Sequence, residues 1–194
     1  YRVSATNFDN VTTAYGTENS THTLAAIPGA VTFGAINDNS VAVNWTDGTN
    51  EAVTRYELQD ASDGSAYAAI YTGLNTTYTH SSLTANTTHY YKVRAINTDN
   101  IASNYNTANS THTTALVPGA VTFSGVWQTS ITVTWTDGTN SGGTRFEVAE
   151  SADGSSYSTI YAGPNTTYTQ SSLTANTTPY YKVRAINVDN IATN

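Results

Sequence analysis

Apolar and polar residues alternate along most of this chain with the two-residue period of an extended strand. In the clearest stretch, Tyr91, Val93 and Ala95 share one face, whereas Lys92 and Arg94 share the other. Because successive side chains of a strand point to opposite faces of a sheet, the first set is predicted to be buried and the second to face water. Helical periodicity is almost absent, so the pattern predicts an all-β protein.

The same strand occurs three times, at intervals of 90 residues. The sequence YYKVRAIN occupies residues 90–97 and recurs unchanged at residues 180–187, and a more divergent copy opens the chain at Tyr1. Aligned without gaps, residues 28–104 and 118–194 are identical at 50 of 77 positions. A period of this length indicates tandem domains, each large enough to bury a modest core.

The repeat divides the chain into three segments. Residues 1–24 are predicted to be the last two strands of an incomplete preceding domain, residues 25–114 a complete domain, and residues 115–194 a domain that lacks its last strand. The joints between them are short and apolar, and they end in Pro28 and Pro118. Because the joints lack the glycine and serine content of a flexible tether, we expect a restricted, rod-like arrangement of neighbouring domains.

Turn signals within the complete domain separate seven short predicted strands. These strands are predicted at residues 28–33, 40–46, 54–59, 66–72, 76–83, 90–97 and 104–113. Val41, Val43 and Trp45 are predicted to face inward on the second strand, and Tyr56 and Leu58 on the third. Such spacing is typical of two antiparallel sheets packed face to face. The predicted fold is therefore a tandem of seven-stranded antiparallel β-sandwiches.

Composition and charge limit the classes of partner. Charged residues make up only 11% of the chain, its formal net charge is −7, and it has no cysteine. An acidic chain disfavours nucleic acid and anionic membranes, because both require a basic surface. No apolar run approaches the roughly 20 residues that a membrane span requires. A weakly charged repeat rich in Thr, Asn and Ser favours an extracellular, secreted or cell-surface location.

The pattern resembles the fibronectin type III family across the whole chain. The resemblance rests on Pro28, Trp45, the Asp63–Gly64 hairpin, and Leu83 followed by Tyr91-x-Val93-x-Ala95-x-Asn97. In the second unit it rests on Trp135, Leu173, Tyr181, Val183, Ala185 and Asn187. It implies two sheets, with the first, second and fifth strands opposing the other four. It also implies tandem domains of an extracellular repeat protein, which we expect to belong to a prokaryotic surface or filament.

One position departs from the family pattern. The family usually carries a tyrosine six residues after the leucine, and its hydroxyl ties the corner of the sandwich to the backbone. His89 and Pro179 stand at that position in the two units. Tyr90 and Tyr91 follow immediately, so a neighbouring tyrosine is a candidate substitute.

No catalytic, cofactor-binding or metal-binding residues are predicted, and we expect no enzyme activity. None of the four histidines forms a pair at metal-ligand spacing; they are His22, His80, His89 and His112. Asp47, Glu51 and Asp99 lie in loops predicted to face the preceding domain. They are interpreted as turn residues, with a calcium ion at the joint as the alternative.

Two further sets of residues allow alternative interpretations. Glu57 is predicted to pair across strands with one of the outward-facing bases, and a carbohydrate- or protein-binding patch is the alternative; those bases are Arg55, Lys92 and Arg94. Trp127 has no counterpart in the first unit, where Asn37 stands. It either anchors a partner or covers the edge of its own sandwich.

The sequence thus favours a structural segment of a long extracellular repeat protein or filament, which contacts neighbouring repeats or copies of itself head to tail. Residues 8–24 resemble the closing strand that the last unit lacks, so strand donation between subunits is one route to a filament. Residues 1–14 duplicate residues 181–194, however, which favours a continuous array. The alternative function is a binding or adhesion module for surface glycans or cell-surface proteins, or an accessory segment of a secreted polysaccharide-degrading enzyme.

Overall fold

A computed structural model of the chain describes residues 1–140 and 142–193. All of the strands in that range belong to two β-sandwiches, and no helix is found there. The strands of the first sandwich are β1 (Thr32–Ile36), β2 (Ser40–Asn44), β3 (Arg55–Ala61), β4 (Ala68–Gly73), β5 (Thr77–Ser81), β6 (Thr88–Ile96) and β7 (Asn109–His112). Those of the second are β8 (Thr122–Val126), β9 (Ile131–Thr134), β10 (Arg145–Ser151), β11 (Ser158–Gly163), β12 (Thr167–Gln170) and β13 (Tyr180–Ile186).

Each sandwich consists of two antiparallel sheets. In the first, the sheet β1-β2-β5 opposes the sheet β4-β3-β6-β7. In the second, the sheet β8-β9-β12 opposes the sheet β11-β10-β13. The expected division of strands, with the first, second and fifth against the others, is therefore confirmed.

The inward-facing rows meet between the sheets as predicted. Val41, Val43 and Leu58 have 0% of their surface exposed. Trp45 lies edge-on to Tyr56, with 6.1 Å between the ring centroids, which is a favourable separation for two aromatic rings. Burial of these apolar rows is the main source of stability for a domain of this size.

The second core is buried less evenly than the first. Val133, Trp135 and Val148 are buried between its sheets. Tyr181 and Val183 on β13 are only half-buried, although the equivalent side chains on β6 are fully buried. In the first sandwich β7 pairs with β6, whereas no strand in the described part of the chain pairs with the same edge of β13.

Two strands of the first sandwich differ from the sequence prediction. The first strand begins at Thr32 rather than at Pro28, and its register shifts between Phe33 and Ile36. A β-bulge at such an edge strand inserts an extra residue and bends the strand, which the alternation pattern does not encode.

The closing strand comprises only Asn109–His112, which is shorter than the predicted 104–113. Upstream of it, side chains take the place of backbone carbonyls. The Ser103 hydroxyl and the Asn106 amide oxygen accept hydrogen bonds from the backbone amides of Ala95 and Val93, at 3.0 and 2.8 Å. The backbone amides of Ser103 and Asn106 still donate to the carbonyls of Ala95 and Val93, at 2.8 and 2.9 Å, so side chains replace only the backbone acceptors of the ladder in this segment.

The segment 1–24 forms a hydrogen-bonded ribbon instead of two regular strands. Thr6 and Thr12 form an isolated bridge, and the amide of Thr13 donates to the carbonyl of Ala5 at 2.8 Å. Phe8 is fully exposed, because no second sheet packs on this ribbon within the described residues.

Threonine hydroxyls, rather than the hydroxyl of Tyr91, tie the corner of the sandwich. Thr87 and Thr113 both donate to the carbonyl of Thr84, at 2.6 and 2.7 Å. The hydroxyl of Tyr91 instead faces Nδ1 of His80 at 3.2 Å. In the second sandwich, Thr177 donates to the carbonyl of Thr174 at 2.7 Å, so this solution is repeated.

We predict that Leu58→Ala destabilises the first sandwich by about 3 kcal/mol, because it leaves a cavity in a fully packed core. Chemical denaturation followed by tryptophan fluorescence will measure the loss. Leu74→Ala is the matched control, since Leu74 is 57% exposed, and its effect should stay within about 0.5 kcal/mol. Equal effects from the two variants would contradict the predicted core.

Candidate functional site: the joints between domains

The joints between domains are the most distinctive feature of this chain, because the same contacts form twice. At the first joint, the side-chain amide of Asn97 donates to the carbonyl of Thr23 at 3.0 Å. Nδ1 of His22 lies 3.0 Å from a carboxylate oxygen of Asp99. The backbone amide of His22 donates to the other oxygen of that carboxylate, also at 3.0 Å.

The second joint repeats this arrangement 90 residues later. Asn187 donates to the carbonyl of Thr113 at 3.4 Å, and Nδ1 of His112 lies 3.0 Å from a carboxylate oxygen of Asp189. In both joints the turn that follows β6 or β13 binds the last residues of the preceding domain. This turn therefore connects two domains as well as two strands.

A second asparagine clamps the linker at each joint. Asn50 exchanges two hydrogen bonds with the backbone of Ala26, at 2.8 and 2.9 Å. Asn140 exchanges two with the backbone of Leu116, at 2.7 and 3.0 Å. An asparagine amide that pairs with both the N–H and the C=O of one residue fixes the backbone of that residue. The linker is therefore held against the following domain.

The second joint has an additional contact from the corner of the first sandwich. The side-chain amide of Asn86 donates to the hydroxyl of Thr144 at 2.7 Å, and its oxygen accepts a hydrogen bond from the amide of Val188 at 3.2 Å. Asn86 is only 3% exposed and has a φ of 51°. Asparagine tolerates this left-handed conformation better than most residues, so it suits both the corner and the contact.

Asn97 and Asn187 each serve two purposes. The oxygen of Asn97 accepts hydrogen bonds from the amides of Asp99 and Ile101, at 3.1 and 2.9 Å, which shapes the turn. The nitrogen of the same side chain holds the preceding domain. Asn187 is 1% exposed, and a buried amide that is hydrogen-bonded through both its oxygen and its nitrogen is strongly position-specific. In the sequence these residues mark only the end of the repeated strand, and no local pattern indicates the contact with the preceding domain.

Comparison with known proteins agrees with this fold. Residues 26–109 match the family model of the fibronectin type III domain. Both sandwiches have the fibronectin type III fold. A solved structure described as a two fibronectin type III domain segment from chicken tenascin is similar over 86% of this chain and 97% of its own, with a TM-score of 0.59 and 16% sequence identity.

Two other structures are similar to parts of the chain at lower scores. One is the fibronectin type III domain of human fibronectin type III domain containing protein 3, with a TM-score of 0.43, 19% identity, and coverage of 50% of this chain and 93% of that chain. The other contains the FN1–FN3 domains of chicken CNTN1, with a TM-score of 0.45 and 17% identity. It is similar over 89% of this chain and 65% of its own. A search of curated proteins finds no match to this sequence. Within the described residues, no helix is long and apolar enough to cross a membrane.

The carboxylates considered for calcium have other partners in the structure. Asp47 accepts a hydrogen bond from the amide of Thr49 at 3.0 Å, and Asp99 binds His22 at the joint. Among the described residues, these carboxylates do not form a group of three with converging ligand atoms. Asp47 thus serves as a turn residue, whereas Asp99 connects domains.

The predicted cross-strand pairing of Glu57 is confirmed, with 3.1 Å between its carboxylate and Arg94. The outward face of this sheet, which carries these charged side chains, is less exposed to solvent than expected. Tyr105 donates a hydrogen bond to Glu57, and its ring packs against the guanidinium of Arg94. Lys92 lies 3.8 Å from the ring centroid of Tyr67, a cation–π contact. Desolvation and the bond to Glu57 raise the pKa of Tyr105 to about 12.

Trp127 lies over the edge strand of its own domain. Its ring occupies the space above Gly125, where any Cβ would come within 2.1 Å of the indole. The ring is nevertheless 60% exposed. Contact with Gly125 agrees with the interpretation that Trp127 covers the edge of its sandwich, and its exposed face leaves the partner-binding alternative open.

The histidines fall into two groups in the structure. His22 and His112 lie at the joints, facing carboxylates 77 residues further along the chain. His80 and His89 instead lie together between the sheets of the first domain, beside Asp60. Desolvation lowers the pKa of His80. No local spacing signals either group, because both depend on contacts between distant strands or domains.

We predict that Asp99 titrates below pH 3.8, because backbone and side-chain hydrogen bonds from His22 lower its pKa from that value. The contact at the first joint is then fully present above about pH 4 and is lost as the pH falls through the folded-state pKa. An NMR titration of the Asp99 carboxyl carbon will measure the midpoint.

His22→Ala is the control for this titration. It removes the ring but keeps the backbone amide, so the midpoint should return only part of the way toward 3.8. A wild-type midpoint at or above 3.8 would show that Asp99 does not hold the preceding segment.

Proposed function

We propose that this chain is a structural segment of a long extracellular repeat protein, in which it acts as a stiff spacer or as part of a fibre-forming array. The observation that carries the proposal is the repeated joint, in which residues of both domains and of the linker are hydrogen-bonded together. Fibronectin type III domains are typical of extracellular proteins, which agrees with a secreted or cell-surface location. A prokaryotic surface or filament is the setting we expect.

Stiffness is the first property that the joint supports. Domains joined by a linker move relative to each other unless a substantial interface holds them. Here the linker is clamped by Asn140, and the turn after β13 reaches the preceding domain through Asn187 and Asp189. The contacts from Asn187 and Asn86 are largely buried, so water competes poorly for them.

Linear extension is the second property. The first and second joints use equivalent residues, so each joint applies a similar displacement from one domain to the next. Repeating one displacement along a chain produces a rod or a gently coiled fibre. The partners that this proposal requires are neighbouring repeats or copies of the same chain, joined head to tail, and no enzymatic reaction is expected.

Strand donation between subunits is a variant of this proposal. In the second domain, Glu147, Tyr157 and Lys182 line a groove on the outer face of the sheet. In the first domain Tyr105 fills the equivalent place, and Tyr15 is the matching residue near the start of the chain. A closing strand from a continuous array or from another copy fits this groove, and the duplicated residues 1–14 favour the continuous array.

An adhesion or carbohydrate-binding role is the second candidate, and the exposed ring of Trp127 favours it. A flat aromatic ring on a β-surface can stack on an apolar or sugar face. Specific binding of this chain on a glycan array, abolished by Trp127→Ala, would favour adhesion over a purely structural role.

We predict that Asn86→Ala combined with His112→Ala releases the second joint without unfolding either domain. Loss of these contacts should remove about 1–2 kcal/mol of coupling between the domains. NMR residual dipolar couplings will measure it: the two domains should share one alignment tensor in the wild type and have different tensors in the variant. Asn75→Ala, in an exposed loop, is the matched control and should leave the common tensor unchanged.

Independent domain tensors in the wild type would overturn the stiff-spacer proposal. The fibre-forming role is tested separately by electron microscopy of the native material, which should reveal fibres with a domain-sized axial repeat. Dispersed particles without such a repeat would leave a spacer but exclude a fibre.

We predict that deleting residues 1–24 does not change the association of the purified chain, because a continuous array needs no donated strand. Analytical ultracentrifugation over a range of concentrations will test this. If the full chain forms head-to-tail oligomers that the truncated chain cannot form, strand donation is the correct mode of assembly.

A further inference from the structure

One cluster of potential metal ligands lies apart from the joints, between the two sheets of the first domain. It comprises Asp60 on β3, His80 on β5 and His89 on β6, whose candidate ligand atoms all lie within 4.8 Å of one another. We propose that these three side chains form a binding site for a divalent transition-metal ion of the zinc type.

All three side chains are placed by the regular strands of the sandwich. Asp60 lies two residues beyond the buried Leu58 on β3, and it pairs in register with Tyr91. His89 lies two residues before Tyr91 on the same face of β6. His80 comes from the opposing sheet, where it pairs with Val41. Ligands on paired strands are positioned more accurately than ligands on loops, as a metal site requires.

The spacing within the cluster fits a four-coordinate ion. Nδ1 of His89 lies 3.1 and 3.2 Å from the two carboxylate oxygens of Asp60. With metal–ligand bonds of about 2.0–2.2 Å, two ligands of a tetrahedral zinc ion lie roughly 3.3 Å apart. The rings of His80 and His89 are nearly perpendicular, at 81°, with 5.7 Å between their centroids. Two imidazoles and a carboxylate therefore converge, and water can supply the fourth ligand.

Neighbouring hydroxyl groups leave one nitrogen of each imidazole for the metal. The hydroxyl of Tyr91 lies 3.2 Å from Nδ1 of His80, so Nε2 remains for coordination. The hydroxyl of Thr87 lies 3.2 Å from Nε2 of His89, so Nδ1, which already faces Asp60, remains. Such partners orient the imidazole ligands of known metal sites.

An ion pair alone does not account for this cluster. A pair between His89 and Asp60 explains those two residues, but it gives no role to a second imidazole from the opposite sheet. In the second domain, Gln170 and Tyr181 stand where His80 and Tyr91 stand in the first. There Gln170 accepts a hydrogen bond from Tyr181 at 2.7 Å. Glutamine therefore suffices as the partner of the tyrosine, and the histidine at position 80 adds a metal ligand.

The second domain also provides an internal comparison. Glu150, Gln170 and Pro179 stand where Asp60, His80 and His89 stand in the first domain. In the first domain the side chains of His89 and Asp60 are 11% and 14% exposed, so small ions from solvent can reach them. The proposed site belongs to the first domain only, and one ion should bind per chain.

Isothermal titration calorimetry of the full chain with zinc chloride, after treatment with a chelator, will test the proposal. We expect one zinc ion per chain. Zinc at about 100 times its dissociation constant should also raise the unfolding temperature of the first domain by roughly 10–20 °C, and that of the second domain should not change. His80→Gln should weaken binding by more than about 100-fold, which exceeds the usual effect of losing a neighbouring partner, while keeping the bond to Tyr91.

Two control variants keep the result interpretable. The double variant His22→Gln and His112→Gln removes the joint histidines and should bind zinc as tightly as the wild type. If circular dichroism shows that His80→Gln does not fold, Asp60→Asn replaces it. The proposal is overturned if the wild type binds no stoichiometric zinc, if a folded cluster variant binds equally well, or if binding is lost with the joint histidines.

Discussion

A hydrogen bond from a buried asparagine side chain to a carbonyl group near the end of the preceding domain connects successive domains of this chain. Asn187 shapes its own turn through its oxygen and holds Thr113 through its nitrogen. The same side chain therefore shapes the loop that presents Asp189 to His112 and holds the preceding domain. The contact is thus built into the end of the repeated strand.

This arrangement follows from the shape of the sandwich. The core consists of two facing rows of apolar side chains, which leaves the two ends of each domain to loops and turns. Loops carry unpaired backbone groups that need partners. At one end these partners are the amides of Asn50 and Asn97, and at the other the hydroxyls of Thr87 and Thr113. Polar residues that saturate a domain end also form the surface by which it meets its neighbour.

The sequence predicted the sheets well and the ends poorly, for a physical reason. Strand alternation is local, so the burial of Val41, Leu58 and Trp45 could be read from the pattern alone. The contact between His22 and Asp99 joins residues 77 positions apart in two different domains, and no local pattern encodes it.

The same limit applies within one domain. Asp60 and His80 approach each other only because two sheets pack face to face, and neither strand signals the other. The threonine ties at the corner were also missed, because a threonine in a turn is equally expected as a solvated residue. A periodic pattern determines which face is buried, whereas the particular polar partner depends on the assembled tertiary structure.

The two complete copies of the repeated turn clarify which features belong to every repeat. The asparagine, aspartate and histidine of the joint occur at matching positions in both joints. The inner cluster occurs once, with Glu150, Gln170 and Pro179 replacing it in the second domain. Features shared by successive domains are those that a linear assembly uses at each step, since every domain must meet its neighbour in the same way. A feature confined to one domain serves that domain alone, so the joint contacts are common to successive domains whereas the histidine cluster distinguishes the first sandwich from the second.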